Sequence, residues 1–186
     1  MVATITPLMD GLFTSLRSFL VAHVTVTSCR QAQLNKTAMP TGNFIVMTPL
    51  GVDGLSTNAV SYQFEPDNDI STETHNRTAV WRCQIDFYGD SAQEFANIIS
   101  TMFRSDYSCE WFRRNTVDNA QPQITPLFST NPKQTTMING EDQWENRWTC
   151  ELHSQIPASV VLPQQFMESI EVGLVEVDTK FPPENA

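Results

Sequence analysis

Between Trp81 and Tyr88 apolar and polar positions alternate: Trp81, Cys83, Ile85 and Phe87 fall on one side, Arg82, Gln84, Asp86 and Tyr88 on the other. A period of two predicts a strand with one buried face. Gly89 breaks the alternation, and Ser91-Ala92-Gln93-Glu94 follows with the S-x-x-E spacing of a capping box, in which two side chains satisfy donors at a helix start. Phe95, Ile98, Ile99 and Met102 then recur at helical spacing and predict a helix whose apolar stripe folds back over the strand. The same alternation returns near the end of the chain. Trp148, Cys150 and Leu152 face one way, and Arg147, Thr149, Glu151 and His153 the other. Two strands of one design predict neighbours in a sheet.

The rest of the chain fills in around this pair. Thr6-Pro7 reads as an N-cap with proline at the first helical position, and Met9, Leu12, Phe13, Leu16, Phe19 and Leu20 mark one face of a helix running to about His23. Val24 to Leu34 is expected to be a strand, as are Phe44 to Met47 and the alternating Val60, Tyr62 and Phe64. Residues 65–77 carry Glu65, Asp67, Asp69 and Glu73 against Arg77 alone, and read as a long exposed acidic loop. A short strand is expected at Cys109 to Arg113, irregular connection over 115–139, a short helix over Gln165 to Ser169 after Pro163, a last strand at Val172 to Val177, and an extended tail over 181–186. The resulting fold class is α+β: a mainly antiparallel sheet of about six strands with two main helices packed on one face.

Size and charge narrow the functional classes. A chain of 186 residues, 40% hydrophobic, suits one domain and needs no disulfide staples. No apolar run approaches the roughly 20 residues of a membrane span. The N-terminus lacks a basic leader and a small-residue cleavage site, so the chain is expected to stay in the cytoplasm. Eleven basic residues against 21 acidic give a net charge of -10, which disfavours a role in gripping DNA, because such binding is driven by cations displacing counterions. An acidic protein bordering DNA would repel it.

The residues offer little reactive chemistry. Neither a phosphate-binding glycine loop nor a nucleophile elbow occurs, and no H-E-x-x-H helix is present. Cys29, Cys83, Cys109 and Cys150 lack the spacing of a zinc or redox site, and Cys83 and Cys150 read as small core hydrophobes. His23, His75 and His153 are scattered. Asp67-Asn68-Asp69 suggests a calcium loop only until Thr72 and Thr78 are found where glycine and glutamate belong. No catalytic, cofactor or metal residue is therefore assigned. Asp86 beside Arg82 reads as an ion pair on a solvated or subunit-facing surface, with acid-base work as the less favoured alternative. What remains is a charged and aromatic outer sheet face, bearing Arg82, Asp86, Tyr88, Arg147, Glu151 and His153, of the kind enriched at protein interfaces.

Gln84 to Asp90 with the following helix start and Met102-Phe103-Arg104 resembles the neck or tail terminator proteins of tailed bacteriophages. The segment Met39 to Leu50, the strand around Trp144-Glu145-Asn146-Arg147-Trp148 and the closing Val175 to Pro182 agree in the same order. The resemblance implies a single terminator-like domain over 1–186 that forms a hexameric ring at the head-proximal end of the tail tube. Such a ring is a structural, non-enzymatic part of the virion. It ends tube polymerisation, joins the tail to the head connector and lets DNA pass without specific binding. Its implied partners are further copies of itself, the tail tube protein, the head-tail connector or neck protein and, in a contractile tail, the sheath. Assembly takes place in the host cytoplasm, with no membrane involved. A closed ring needs two different complementary patches on each subunit. One is expected around Arg82, Asp86, Tyr88, Arg147 and Glu151, the other on the acidic loop at Asp67, Asp69 and Arg77. The alternatives are another virion component, such as a connector, collar or baseplate subunit, and a monomeric hydrolase or ligand-binding domain using Asp86.

Overall fold

The computed structural model describes residues 2–33, 37–64, 71–115, 124–140 and 142–165. In chain order these form β1 (Thr4–Thr6), α1 (Met9–His23), β2 (Ser28–Gln31), β3 (Phe44–Gly54), β4 (Ala59–Gln63), β5 (Ser71–Tyr88), α2 (Ala92–Phe103), α3 (Asp106–Asn115), β6 (Thr125–Ser129), β7 (Lys133–Gln134), β8 (Met137–Ile138), β9 (Trp144–Glu145) and β10 (Arg147–Gln164). The class is α+β. Among the described residues the main sheet has eight strands where about six were expected, and α3 is a third helix.

The sheet is organised by β5 and β10, each 18 residues long and paired antiparallel from Arg147 opposite Tyr88 to Gln164 opposite Ser71. Strands of this length reach about 60 Å, against the 3 to 10 residues usual in globular proteins. Along the free side of β5 lie β3 and then β4, running in one direction with a break at residues 55–58; β2 extends the sheet beyond β3 in parallel. Along the free side of β10 lie β7, β6 and β1 in turn. The sheet therefore has two parts. At one end it is wide and contributes Trp81, Cys83, Ile85 and Phe87, with Ile45, Met47, Cys150 and Leu152, to a core shared with Leu12, Leu16, Phe19 and Leu20 of α1 and Ala96, Ile99 and Phe103 of α2. At the other, residues of β4, β5, β10 and β1 form a four-stranded arm.

Local interactions explain why α2 and α3 sit where they do. The Phe13 ring stands edge-on to Trp81 at 5.5 Å, and Phe19 stacks on Phe112 at 5.0 Å, tying α1 to β5 and α3. Arg104, just past α2, donates to the Ser129 carbonyl, while the Ser129 hydroxyl donates to the Ser100 carbonyl at 2.9 Å. The second of these bonds satisfies a carbonyl that the end of α2 would otherwise leave open, and the first ties that end to β6.

Several expectations are corrected here. Thr6-Pro7 does not start α1: Thr6 pairs with Ser159 in β1, its peptide to Pro7 is cis, and Leu8 takes the N-cap position. Val24 is not strand but caps α1, donating its backbone N–H to Leu20; only Ser28–Gln31 forms the following strand. Ser91 is the N-cap of α2 without the expected side-chain bond, because the turn is held instead by Asn43, whose Oδ1 accepts from the Ser91 N–H. Cys109 to Arg113 is helix and not strand: Ser108 and Phe112, four apart, are both buried, and Glu110 binds Arg113 and Arg114 at helical spacing. Within 115–139, β6, β7 and β8 replace the irregular connection.

The acidic loop is the largest correction. Ser71 to Arg77 belongs to β5, because β4 and β10 supply partners on both of its sides: His75 lies opposite Val60 on one and Val160 on the other. Asp67 and Asp69 lie outside the described residues. Pro163 and Gln164 end β10 and do not open a helix, since they pair with Thr72 and Ser71. The short helix proposed to follow them, apart from Gln165, and the last strand and tail lie outside the described residues.

Candidate assembly interface

The face of β5 and β10 that carries the even-numbered residues of β5 holds the polar groups singled out in the sequence. Asp86 is central and almost wholly buried, its side chain 3% exposed. Its Oδ1 accepts from Arg147 Nη2 at 2.9 Å, Arg147 Nε at 3.1 Å and Thr149 Oγ1 at 2.6 Å, and Gln84 Nε2 donates to both carboxylate oxygens. The donors converge on Oδ1, while Oδ2 accepts from Gln84 alone. Such a group is a clamp between strands, not a free base.

The expected Arg82–Asp86 pair does not form. Residues four apart on one strand are separated by about 13 Å, whereas a diagonal neighbour on the adjacent strand is within about 8 Å. Asp86 therefore takes Arg147 from β10, and Arg82 takes Asp53 from β3 at 2.9 Å, an exposed pair.

Aromatic groups flank the clamp. Tyr88 is buried, stacked on Phe44 of the paired strand at 4.4 Å with rings nearly parallel, and the Arg147 guanidinium lies 5.8 Å from its ring centre. Burial pushes the Tyr88 phenol above its ordinary range, Arg147 pulling it down and Asp86 pushing it further up. Further along β10, His153 stacks on Phe128 of β6 at 4.1 Å, and its Nε2 lies 3.7 Å from Glu151. Arg147 to His153 spans about 20 Å of strand. Over that length the face presents, in turn, a buried ion pair, a partly exposed Glu151 and a stacked imidazole.

Arg77 stands apart from this group. It is exposed on the arm, opposite Ala158. The arm also exposes Leu55, Val60, Tyr62 and Phe64, each more than two-fifths open to solvent. Sequence reasoning placed Val60, Tyr62 and Phe64 in a strand without seeing that both of its faces would be open. It also missed Gln84 and Thr149 as ligands of Asp86, although their parity with Asp86 and Arg147 in the two alternating strands places all four on one face. The roles of Asp53, Phe44 and Phe128 depend on the register of other strands and leave no local signal.

Among the described residues no group of three or more His, Cys, Asp or Glu side chains could hold a metal ion, and no helix is long and apolar enough to cross a membrane. No curated protein matches the chain. A family described as phage neck terminator protein matches residues 10–182, from the start of α1 past the end of β10. With that match covering nearly the whole sequence, the chain belongs to the phage neck terminator protein family.

Proposed function

We propose that the chain is a structural virion protein that closes into a hexameric ring at the head-proximal end of the tail tube, stops tube growth there and presents a platform to the head connector. The observation that carries this reading is the family match over residues 10–182. The architecture supports it. A ring needs a heterologous contact with two different patches, and the chain offers two unlike surfaces: the polar and aromatic face around Arg82, Asp86, Tyr88, Arg147 and Glu151, and the arm that carries Arg77 with exposed Val60, Tyr62 and Phe64. Asp67 and Asp69, between β4 and β5, belong to the second patch. The chain works as one domain over 1–186.

The net charge of -10 fits a wall past which DNA slides without sticking. The partners are further copies of the chain, the tube protein below and the connector above, with a sheath subunit beside it in a contractile tail. The chain performs no catalysis. The hydrolase reading is weakened, because Asp86 is almost wholly buried and held through Oδ1 by Arg147, Thr149 and Gln84.

The reading is tested by adding the purified chain to polymerising tail tube protein. Tubes capped at one end, with growth arrested there, support it. Tubes that lengthen unchanged at both ends in the presence of excess chain contradict it.

A further inference from the structure

The sheet ends at β2, a four-residue strand with β3 on one side and, among the described residues, no strand on the other. An uncovered edge offers unpaired N–H and C=O groups to any extended segment. Next to this edge, between α1 and β2, lies a cavity of about 540 Å³. Phe13, Cys29 and Met47 give it an apolar floor, and Arg17 and Arg30 line it. Arg30 donates to Ser28 Oγ at 2.8 Å and the Ala38 carbonyl at 3.3 Å, both neutral, and the ion pairs among the described residues use other arginines. In a chain of net charge -10, two arginines at one open strand edge point to an acidic occupant.

The chain itself contains a segment of matching chemistry. In Ile170-Glu171-Val172-Gly173-Leu174-Val175-Glu176-Val177-Asp178 the apolar Ile170, Val172 and Leu174 alternate with Glu171 and Gly173, and the acidic Glu176 and Asp178 follow. We infer that residues 170–178 of one subunit add as a strand to the β2 edge of a neighbouring copy, with Ile170, Val172 and Leu174 over Phe13, Cys29 and Met47 and the acidic groups beside Arg17 and Arg30. This is strand addition, in which backbone bonds give affinity and alternate side chains give specificity. It rests on the ring reading for the identity of the partner.

Geometry requires the neighbour. Gln164 pairs with Ser71 at the tip of the arm, whereas β2 pairs with the part of β3 that lies opposite Tyr88 to Ile85. That separation along β5 is about 50 Å. The residues between Gln164 and Ile170 span about 20 Å even when fully extended. A subunit's own segment therefore cannot reach its own β2 edge, but in a ring of repeating subunits the arm can carry it to the next one. The family match runs to residue 182, so the segment lies within the shared domain.

The test is made on the full-length chain. Val172→Pro with Leu174→Pro removes donors and inserts rings into the segment without touching any described element. Sedimentation velocity compares this variant with the unaltered chain, and a fluorescein-labelled peptide of residues 166–182 is titrated into the variant. Strand donation predicts that the variant fails to assemble, binds the peptide, and loses at least about tenfold in peptide affinity on Arg17→Glu plus Arg30→Glu, with its melting curve retained. A variant that assembles like the unaltered chain overturns strand donation while leaving the ring intact. If the unaltered chain does not assemble at any concentration, the ring reading fails, and the peptide decides separately: charge-dependent binding upholds the β2 site, and no binding overturns it.

Discussion

Arg147 reaches diagonally from β10 to Asp86 on β5 and binds it through two nitrogens, with the Asp86 side chain 3% exposed and that of Arg147 26% exposed. A buried ion pair contributes little net stability when whole but is costly to break on one side. Arg147→Met should therefore destabilise the fold by about 3 kcal/mol, the low end of the range for such pairs, because Thr149 and Gln84 still donate to the stranded carboxylate. Adding Asp86→Leu should recover most of that loss. Urea titration of the single and double variants measures it. Equal destabilisation by both would show that the pair is not the source.

Gly89 turns β5 into α2 with φ of +99°, and a Cβ there would lie 2.3 Å from Asn43 Oδ1 and 2.9 Å from Asn43 Cα. Gly89→Ala combines an unfavourable backbone region with a clash against backbone, and should cost about 3 kcal/mol or more. Thermal unfolding tests this. A change within about 0.5 kcal/mol, the usual range for surface substitutions, would contradict the turn as described.

The four thiols should separate by burial. Cys29, Cys83 and Cys150 are buried, and desolvation pushes Cys29 up to about 11, Cys150 up to about 12 and Cys83 higher still, whereas Cys109 is partly exposed. Mass-mapped maleimide labelling of the native chain near neutral pH should mark Cys109 first, the other three reacting only on unfolding. The sign of the alkaline response follows. Thiols ionise more easily in the unfolded chain than in the folded one, so stability is unaffected below the ordinary thiol range and falls as pH rises from about 9 through 11 to 12. Rapid native labelling of Cys83 would contradict the core described here.

Acid should act through α3. Hydrogen bonds from Arg113 and Arg114 lower Glu110 to about 2. A depressed carboxyl stabilises the fold above its unfolded range and loses that contribution as pH falls from about 4.5 through 2. The stability difference between the unaltered chain and Glu110→Gln should shrink over that window, and salt should reduce it, because the pairs are exposed. A difference independent of pH from 6 to about 2 would contradict the assignment.

What could be read without the structure was whatever the shared core imposes on the strands that line it. The alternation at Trp81 to Tyr88 and at Arg147 to His153 predicts both strands and their adjacency, and Phe87 indeed lies opposite Trp148. The arm escapes because Ser71 to Arg77 extend beyond the core, whose β5 members begin at Ala79, so no burial writes a period of two there. For α3, the register of Ser108 and Phe112 was present but short, and one strand's worth of residues fits either pattern. Arg82, Asp86, Tyr88, Arg147 and Glu151 do share a face, yet the partners of Arg82, Asp86 and Tyr88 are fixed by β3 and β10, which no local stretch specifies.

If that face joins subunits, charge reversal on it should separate assembly from folding. Arg82→Glu breaks only an exposed pair with Asp53 and should cost no more than about 1 kcal/mol. Combined with Glu151→Lys, it should leave the melting temperature within a few degrees and reduce the assembled fraction severalfold in sedimentation. Unchanged assembly would move the contact elsewhere.

The central claim is positional, and imaging tests it most directly. Phage particles carrying an epitope on the chain, labelled with gold and viewed by negative stain, should show the label as a collar between head and tail, and isolated tails should carry it at the head-proximal end only. Label at the distal tip, along the tube, or absent from complete particles would contradict the account.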